Sequence, residues 1–480
     1  MTHRYGSVVA ALLLAACDTS TRAERFVRDA AQALGGEARL RAVDAFVIEG
    51  HGAVMNLGQD TTWPGNGQAF TLSEVRRAFD LTEPRSRTEQ TRTPNFLYFQ
   101  GPQPQRQVLG FARDVAYSIA ENGRVSRQTD AAAKERIAEF YHHPLSLVRE
   151  MLALSTTVSN LRTEDGTRTA DVALGNMLFV VSLDQDGRPV SVSSQGYHTN
   201  LGNVTISTAF TNYQPVEGLS LPTELATTTD DYPTMSLQVD RYVLEARPSD
   251  AAAPVEAASM PEPSLATPVV EATAVSPGVW LLAGQSHHSA LIEFADHLVL
   301  FEAPQSEART RAVLVKAREL VPSKPVTQVI MSHHHFDHSA GIRLAVSQGL
   351  RVLTHAKDAA FVEEIARRSH SRRPDALDRA PFPHTAEPVE DPLTLEDSAM
   401  RVVIYPLTGN PHSDAMLLVY IPRDRVLIEA DAYSPGGTYH PYAAHLLETI
   451  RARNLLVDRI VPLHGSVTTL AELTKAVGTQ

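Results

Sequence analysis

A short histidine-rich stretch constrains this chain more than any other feature of its sequence. Within six consecutive positions it carries four histidines and one aspartate: His333, His334, His335, Asp337 and His338. The hydrophobic run Val326 to Met331 precedes the stretch, and a run with helical character, Ala340 to Gln348, follows it. At a turn between a strand and a helix, such side chains can converge on one point without entering a core. Imidazole nitrogens together with a carboxylate oxygen suit zinc, with iron and manganese as the alternatives.

Length and charge limit the remaining possibilities. With 480 residues the chain is too long for one ordinary domain, so we expect two domains. Hydrophobic residues make up 43% of the chain, which is enough to fill sizeable cores. The net charge is −12 and the sequence has no long basic run. The composition therefore argues against nucleic acid or an anionic membrane surface as the main partner.

The first 17 residues have the pattern of a bacterial lipoprotein signal peptide. Arg4 precedes an apolar run, Val8 to Ala16, which is too short to span a bilayer and has the length of a signal-peptide core. The run closes on Leu14-Ala15-Ala16-Cys17, which resembles the lipobox in which cysteine becomes the lipidated first residue. Cys17 is the sole cysteine, so a disulfide within the chain is impossible. We expect a periplasmic or cell-envelope lipoprotein whose only membrane attachment is its acyl chains; the alternative is an ordinary export signal with an incidental cysteine.

Residues 18–246 have the pattern of a mainly antiparallel β domain. Helices are predicted over Ala23 to Leu34, which Gly35-Gly36 stops, and over Ala131 to Leu152, with a break or kink at Pro144. Asp186-Gly187 is a hairpin signal. The strand-like runs are Ala45 to Met55, Phe70 to Arg77, Val115 to Ile119, Met177 to Asp184, Val190 to Ser194, Val204 to Phe210 and Met235 to Leu244. This arrangement predicts an open, curved sheet and resembles the LolA-like lipoprotein-carrier domains, mainly through residues 34–50.

The N-terminal domain shows no constellation of catalytic type. Its histidines lack a second donor cluster, so we interpret them as core or surface residues; they are His51, His142, His143 and His198. Residues 247–267 then change composition sharply, with several prolines separated by alanine-rich filler. We interpret this segment as a semi-extended linker and place the domain boundary there.

Residues 268–480 alternate strand-like and helix-like runs, which predicts a layered α/β domain. The predicted strands are Val279 to Leu282, Ser289 to Phe294, Leu298 to Phe301, Val326 to Met331, Val352 to Thr354, Met400 to Tyr405, Ala415 to Ile421, Arg425 to Glu429 and Arg459 to Pro462. The predicted helices are Ala308 to Leu320, Ile342 to Val346, Ala359 to Arg367, Tyr442 to Arg453 and Leu470 to Val477. Between them, Ser371 to Leu395 is irregular and carries Arg372, Arg373 and Arg379, which could contact an anionic substrate; the alternative is a solvated loop.

Three further donors each lie just beyond a predicted strand. His412 lies in a loop after Gly409, Asp431 follows the run Val426 to Ala430, and His464 lies in a Leu-His-Gly turn. One such histidine alone would carry little information. In this order and spacing, together with the His-x-His-x-Asp-His motif, the donors resemble the metallo-β-lactamase superfamily over roughly residues 268–477. The resemblance implies an αββα sandwich.

Carried over residue by residue, the resemblance implies a two-metal site with zinc as the expected cofactor. It assigns His333, His335 and His412 to one metal, Asp337, His338 and His464 to the second, and Asp431 to a bridging position. Two cations held close together need such an anionic bridge, and coordination lowers the pKa of water from about 16 toward about 7, so that a hydroxide nucleophile exists at neutral pH. Asp337 is also the expected catalytic group that orients the nucleophile or moves a proton.

Several neighbouring residues have smaller expected roles. We expect His334 to point away from the metals and His287-His288 to be turn residues that supply at most one contact to the site. Tyr433 and His440 are candidate substrate contacts, with loop polarity as the alternative. Glu302 stands where many relatives have aspartate, and Ala430 where a glycine often precedes the bridging aspartate; neither change removes a ligand.

The sequence thus predicts an exported metallo-hydrolase that acts on a small molecule with an ester, lactone, amide, β-lactam or sulfate-ester bond. The first alternative is an iron-dependent oxidoreductase on the same scaffold. The second is an envelope protein whose N-terminal sheet binds a lipid or lipoprotein and whose metal domain is an accessory. The motif does not choose the substrate, because specificity lies in the loops.

Overall fold

The computed structural model describes residues 22–65, 67–97, 103–264, 267–437 and 439–478. The signal segment with Cys17 lies outside the described residues. The chain divides into two compact units that interleave along the sequence. Among the described residues, one unit lies within 22–55, 69–196 and 204–264, and the other lies within 56–68, 197–203 and 267–478. In the part of the chain that the structure describes, no helix is both long and apolar enough to cross a membrane.

The first unit is built on a 13-stranded sheet. Its order is β6-β5-β4-β3-β2-β1-β13-β12-β11-β10-β9-β8-β7, so the chain runs out to one edge, crosses to the other and returns to pair β13 with β1 in antiparallel register. The strands are β1 (Ala45–Asn56), β2 (Gln68–Asp80), β3 (Arg85–Pro94), β4 (Gln105–Ala112), β5 (Val115–Ile119), β6 (Val125–Arg127), β7 (Thr157–Glu164), β8 (Thr167–Leu174), β9 (Met177–Leu183), β10 (Pro189–His198), β11 (Gly202–Val216), β12 (Leu219–Thr229) and β13 (Tyr232–Val243).

Alternation explains which face of this sheet is buried. In β9, Phe179, Val181 and Leu183 are buried, while the residues between them are at least partly accessible. This period of two places one face against the core. The turn predicted at Asp186-Gly187 is confirmed, with Gly187 at a φ of 87° between β9 and β10. The large antiparallel sheet predicted for the N-terminal domain is therefore present.

Four of the described helices of the first unit share its hydrophobic core with the sheet. They are α1 (22–33), α2 (Glu37–Arg41), α3 (Asp130–Phe140) and α4 (Pro144–Met151). The break predicted at Pro144 is confirmed: this proline occupies the first turn of α4, where its missing N–H costs nothing, and His143 caps the helix. Phe46 and Phe79 stack at 4.4 Å beneath them.

His142 and His143 are core residues, as predicted. His142 forms hydrogen bonds through both ring nitrogens, to Thr208 Oγ1 and Ser194 Oγ, each at 2.9 Å. His143 Nε2 lies 3.1 Å from the Tyr242 hydroxyl, and His143 Nδ1 accepts the Leu145 N–H. Burial lowers the pKa of His142 to about 4 and that of His143 to about 3.

The proline-rich segment after β13 is more ordered than its composition predicts. Pro248–Ala251 forms a 3-10 turn and Val255–Ser259 forms the short helix α5. Ala251 packs with Val47 and Ala78 of the sheet. The small alanine side chains allow this close approach, so part of the predicted semi-extended segment belongs to the core of the first unit.

The second unit has the αββα architecture predicted from the resemblance. A seven-stranded sheet runs in the order β14 to β20 and a five-stranded sheet in the order β21 to β25. The strands are β14 (Glu271–Ser276), β15 (Val279–Ala283), β16 (Ser289–Glu293), β17 (Leu298–Phe301), β18 (Val326–Ile330), β19 (Arg351–His355), β20 (Glu387–Val389), β21 (Leu393–Glu396), β22 (Arg401–Leu407), β23 (Met416–Ile421), β24 (Val426–Glu429) and β25 (Arg459–Pro462). The helices are α6 (Glu307–Leu320), α7 (Phe336–Ser339), α8 (Ile342–Ser347), α9 (Ala359–Arg367), α10 (Ala376–Arg379), α11 (Ala443–Ala452) and α12 (Leu470–Gly478).

Strand β23 shows how the layers form. Leu417, Val419 and Ile421 face the core shared with the first sheet of this unit. Leu418 and Tyr420, which alternate with them, face the opposite way and pack with α11 and α12. Both faces of the strand are covered, so all six of its residues are buried.

Two turns of the N-terminal region belong to the second unit. Residues 56–68 contain the connection between β1 and β2, and residues 197–203 contain the connection between β10 and β11, yet both segments group with the C-terminal part of the chain. The sequence instead predicted an uninterrupted N-terminal domain over residues 18–246.

Candidate metal centre

The donors of the candidate centre lie beyond the carboxyl ends of strands. His333, His334 and His335 follow β18, which pairs in parallel with β17 and β19. Asp431 follows β24 and His464 follows β25, and these two strands are also parallel. Carboxyl ends of neighbouring parallel strands meet at one edge of a sheet, which is where open α/β folds form their binding sites. Side chains that are far apart in sequence therefore meet.

The first group of donors matches the first predicted metal site. The ligand atoms of His333, His335, His412 and Asp431 all lie within 4.8 Å of one another. His412 Nε2 is 3.2 Å from His333 Nε2 and 3.0 Å from Asp431 Oδ2. His335 is fully buried, and its Nδ1 has no hydrogen-bond partner. A buried nitrogen without a hydrogen-bond partner is energetically costly, and a metal ion bound to His335 Nδ1 would remove that cost. This nitrogen therefore fits a metal ligand.

The second group contains two of the predicted ligands and one unassigned histidine. The nitrogens of His287, His338 and His464 lie within 4.8 Å of one another. His338 Nε2 and His464 Nε2 are 3.3 Å apart. Bonds of about 2.0–2.2 Å to one zinc give ligand separations of roughly 3 Å, so this distance fits two ligands of the same ion.

Asp431 lies between the two groups, as a bridging carboxylate would. Its Oδ2 faces His412, and its Oδ1 lies 3.0 Å from both His338 Nε2 and His464 Nε2. The two oxygens therefore face different histidine groups. This arrangement fits the role that the resemblance implied for Asp431.

Asp337 is the most open of the donors, with 37% of its side chain exposed. Its Oδ2 lies 2.8 Å from His287 Nε2, and its Oδ1 accepts a 2.6 Å hydrogen bond from the Gln59 side-chain amide. Asp337 thus stands at the accessible side of the second group, where it could serve as a ligand, orient a nucleophile or move a proton.

The histidines are oriented through their second ring nitrogens. Glu302 is fully buried and its Oε2 lies 3.1 Å from His338 Nδ1, while its Oε1 accepts the Ser332 N–H at 2.6 Å. His464 Nδ1 lies 2.8 Å from the Ser286 carbonyl oxygen. Such contacts fix the tautomer and leave Nε2 for a metal. Glu302 therefore supports the ligand turn although it replaces the aspartate of many relatives.

The electrostatics of the centre favour a cation. Burial opposes the charged form of His338, but the carboxylates of Asp431, Glu302 and Asp337 outweigh it and hold the pKa of His338 well above the usual range. Burial and neighbouring imidazoles lower the pKa of His335, which stays neutral. Neutral imidazoles beside an excess of carboxylate charge fit divalent metal ions, so the residues present can hold them.

The remaining histidines of this region have structural partners. His334 is buried and points away from the donors, as predicted, with Nδ1 3.2 Å from Asp358 Oδ1. His355 Nδ1 accepts the Lys357 N–H at the start of a 3-10 turn. His288 Nδ1 accepts the Gly284 N–H.

The two candidate substrate contacts are less accessible than predicted. Tyr433 is 4% exposed, lies in a hydrophobic cluster with α11 and interacts through its side chain with Thr468. His440 is 9% exposed, packs on the Tyr433 ring and contacts the Gly437 carbonyl oxygen at 3.0 Å. The structure therefore gives Tyr433 a core position and gives His440 internal partners. The prediction rested on the position of Tyr433 in a loop, but its ring packs in the hydrophobic core.

The arginines of residues 371–395 also have internal partners. Arg373 lies over the Tyr197 ring, 4.7 Å from its centroid, and Arg379 contacts Glu307 and the Pro374 carbonyl oxygen. This segment contains α10, β20 and the start of β21, so it is more regular than predicted. Arg372 is exposed, and its contact with an anionic substrate stays a prediction.

Gln59 and Asp60 are the site residues that the sequence did not reveal. Gln59 binds Asp337, and the Asp60 carbonyl oxygen lies 2.8 Å from His335 Nε2. Both precede the motif by more than 270 positions, with separations of 278 and 275 residues for the two contacts. No local pattern around Gln59 signals this role.

An αββα sandwich with two adjoining histidine and carboxylate groups at its strand ends defines the class of metallo-hydrolase folds. Residues 283–464 match the model of the metallo-beta-lactamase superfamily, so this part of the chain belongs to that superfamily. No curated protein is significantly similar to the chain. The LolA-like resemblance of the N-terminal sheet stays a prediction.

Solved structures similar to the chain include several metallo-beta-lactamases. One from Pontibacter korlensis is 15% identical, with a TM-score of 0.36, and the match covers 44% of this chain and 98% of that one. One from Hirschia baltica is 17% identical, with a TM-score of 0.34 and coverages of 44% and 97%. The FIM-1 enzyme from Pseudomonas aeruginosa in its mono-zinc form is 15% identical, with a TM-score of 0.33 and coverages of 44% and 94%. None of these similarities identifies a substrate for this chain.

Proposed function

We propose that this protein is a hydrolase that uses two divalent metal ions, with zinc as the expected metal, to cleave a small molecule. The bond would be an ester, lactone, amide, β-lactam or sulfate ester. The observation that carries the proposal is the position of Asp431, whose two oxygens face the two histidine groups at 3.0 Å. A carboxylate in that position offsets the repulsion between two cations, which a single-metal site would not need.

The residues of the chain then have distinct tasks. His333, His335 and His412 supply three imidazoles on one side, and His338 and His464 supply imidazoles on the other. Metal ions held there would polarise the scissile group and lower the pKa of a coordinated water toward neutrality.

Asp337 is the residue best placed to orient the attacking nucleophile. Its carboxylate is partly exposed and stands between Gln59 and His287 on the open side of the centre. Burial opposes its charged form, but the hydrogen bond from His287 and the charge of His338 keep the pKa of Asp337 far below its usual value. A pKa this low makes Asp337 a weak proton acceptor at neutral pH, so its proposed task is to stay ionised, bind a metal ion and orient the attacking nucleophile through a hydrogen bond.

We also propose that the hydrolase works outside the cytoplasm as a lipoprotein anchored through Cys17. The support is the apolar run that ends in Leu14-Ala15-Ala16-Cys17. An acyl anchor would leave both units in water, and the substrate would then be a small molecule that reaches the cell envelope. Under this proposal the N-terminal sheet is the part that could take a lipid or lipoprotein partner.

Two measurements on the purified full chain test the hydrolase proposal. Elemental analysis without added metal should find about two equivalents of zinc, and iron in its place would support the oxidoreductase alternative. A panel of chromogenic β-lactam, lactone, aryl ester, aryl sulfate and phosphodiester substrates should then reveal the bond class. His335→Ala should abolish the activity, whereas the exposed His51→Ala should retain it. Activity that survives His335→Ala would show that the site is elsewhere.

A further inference from the structure

The turn that carries the metal-binding motif is enclosed by two chain segments from outside it. Phe336 lies between the donors His335 and Asp337, and its backbone N–H donates to the Gly58 carbonyl oxygen at 3.1 Å. Its carbonyl oxygen accepts a 3.1 Å hydrogen bond from the Asn200 side chain. Both backbone groups of the residue at the centre of the motif are therefore bound by the segments 56–68 and 197–203.

The same segments contact the donors themselves. His335 Nε2 donates to the Asp60 carbonyl oxygen at 2.8 Å, and a carbonyl can only accept, so the proton is on Nε2. A neutral His335 then has its lone pair on Nδ1, which is the buried nitrogen without a partner. The Asp60 carbonyl thus selects which nitrogen of His335 is available to a metal.

Gln59 acts on the other side of Phe336. Its side-chain amide donates to Asp337 Oδ1 at 2.6 Å, while Oδ2 faces His287. A carboxylate held at both oxygens cannot rotate freely, so Gln59 and His287 together fix the direction in which Asp337 presents its remaining lone pairs.

The segment 56–68 is itself held firmly against its surroundings. The Thr61 carbonyl oxygen accepts the Asp414 N–H at 2.8 Å. Trp63 packs edge-on against Phe361 of α9, with ring centroids 5.0 Å apart. A short segment held at these points, in addition to Gly58 and Asp60, can impose geometry on the donors rather than follow them.

We propose that residues 56–68 are a positioning element of the metal centre, in which Gln59 orients Asp337 and the Asp60 carbonyl orients His335. This inference rests on the proposed function, because it requires that the two donors hold metal ions. It assigns part of the centre to the connection between β1 and β2, outside residues 283–464 that match the superfamily model.

The first test uses Gln59 variants of the full chain with Zn²⁺ alone as the probe. Gln59→Met keeps the length of the side chain but cannot donate to Asp337, and Gln59→Glu places a second carboxylate against it. Contacts that orient ligands typically contribute 10- to 100-fold to metal affinity. We therefore expect affinity for Zn²⁺, measured by chelator competition, to fall about tenfold for the first variant and further for the second. Gln195→Met, an exposed position on β10, should bind Zn²⁺ as the wild type does.

The second test displaces the segment without touching a polar side chain. A Cβ on Gly58, whose φ is +76°, would lie 2.2 Å from the Phe336 ring. Gly123 has a φ of +80° and nothing within 4 Å, so Gly123→Ala carries the same backbone strain without the clash. Gly58→Ala should lower the affinity for Zn²⁺ and alter the absorption spectrum of the Co²⁺-substituted protein, which reports ligand geometry. Gly123→Ala should change neither.

The outcomes separate the two proposals. A wild type that binds no Zn²⁺ overturns the proposed function and this inference with it. The inference alone is overturned by a different result. In that case the wild type binds Zn²⁺, Gln59→Met and Gly58→Ala bind it equally well, and the Co²⁺ spectrum of both variants is unchanged. Circular dichroism of each variant identifies misfolding. If Gly58→Ala misfolds, the Co²⁺ spectrum of Gln59→Met, which removes only one hydrogen bond, tests whether residues 56–68 position the donors.

Discussion

His287 Nε2 lies 2.8 Å from Asp337 Oδ2, and the His287 ring packs against His464 with centroids 4.3 Å apart. Burial lowers the pKa of His287 although Asp337 opposes this, so the ring is neutral at neutral pH. With Nδ1 within 3.2 Å of the Gln305 amide, the neutral ring donates from Nε2 to Asp337.

This relationship predicts that His287 orients Asp337 for the second metal. We expect His287→Ala to lower the bound zinc from about two equivalents toward one, because Asp337 loses a donor. His287→Gln keeps an N–H donor and should retain most of the second equivalent, and His288→Ala should retain all of it. Elemental analysis after dialysis measures the three variants. If His287→Gln is as defective as His287→Ala, His287 is itself a ligand.

Glu302 supports a second prediction. It adopts a φ of 78°, which is unfavourable for a residue with a side chain, and it holds both Ser332 and His338. Glu302→Gln removes the charge and leaves one buried donor without an acceptor. We expect Zn²⁺ affinity to fall about 10- to 100-fold and the free energy of unfolding to fall by about 1–3 kcal/mol. Chelator competition and urea denaturation measure the two effects, with the exposed Glu271→Gln as control. Unchanged affinity would contradict an orienting role for Glu302.

The N-terminal unit should lose stability in mild acid. The pKa values of His142 and His143 are lowered to about 4 and about 3 in the folded chain, against about 6.5 when unfolded. As the pH falls below about 6.5, the unfolded chain binds protons that the folded chain does not. The free energy of unfolding should therefore decrease by up to about 1.4 kcal/mol per pH unit for each histidine until the folded pKa is reached.

Hydrogen exchange of peptides from β10 and β11 between pH 7 and pH 4.5, corrected for intrinsic exchange rates, measures this loss. His142→Gln should be less stable at pH 7, because it alters a buried residue bonded to Thr208 and Ser194, yet it should lose less stability on acidification. His51→Gln, at an exposed site, should behave as the wild type does. An equally steep acid response in His142→Gln would exclude this histidine as a source of the pH dependence.

The lipid anchor is tested independently of catalysis. Expressed with its own signal in a bacterium, the wild-type chain should partition into the detergent phase of a two-phase extraction, because acyl chains on Cys17 are strongly apolar. Cys17→Ser removes the acceptor and should move the protein to the aqueous phase. Wild-type protein that stays in the aqueous phase would contradict the proposed anchor.

The sequence predicted the second unit well because its signals are local. Each donor follows a short apolar strand, and a continuous apolar run such as that of β23 can be recognised without knowledge of the partner strand. Strand β3 was not predicted because its polar, arginine- and threonine-rich sequence shows no alternation of apolar residues. Its pairing with β2 and β4 stabilises it instead. The burial of Tyr433 was not foreseen because its loop position says nothing about the core into which its ring packs. The contacts of Gln59 and Asp60 depend on tertiary structure alone.

The contact between Asp60 and His335 joins residues 275 positions apart, which has a consequence for the order of folding. During synthesis, residue 60 emerges long before the strands that carry Asp431 and His464. Contacts of such high sequence separation close late, because the entropy of a large loop must be overcome first. A chain that has formed both sheets of the second unit but has not yet captured residues 56–68 would carry every metal donor and still lack the acceptor that orients His335. Full affinity for metal would then be reached only when residues 56–68 join the second unit, and an intermediate without them would bind the same ion about 10- to 100-fold more weakly.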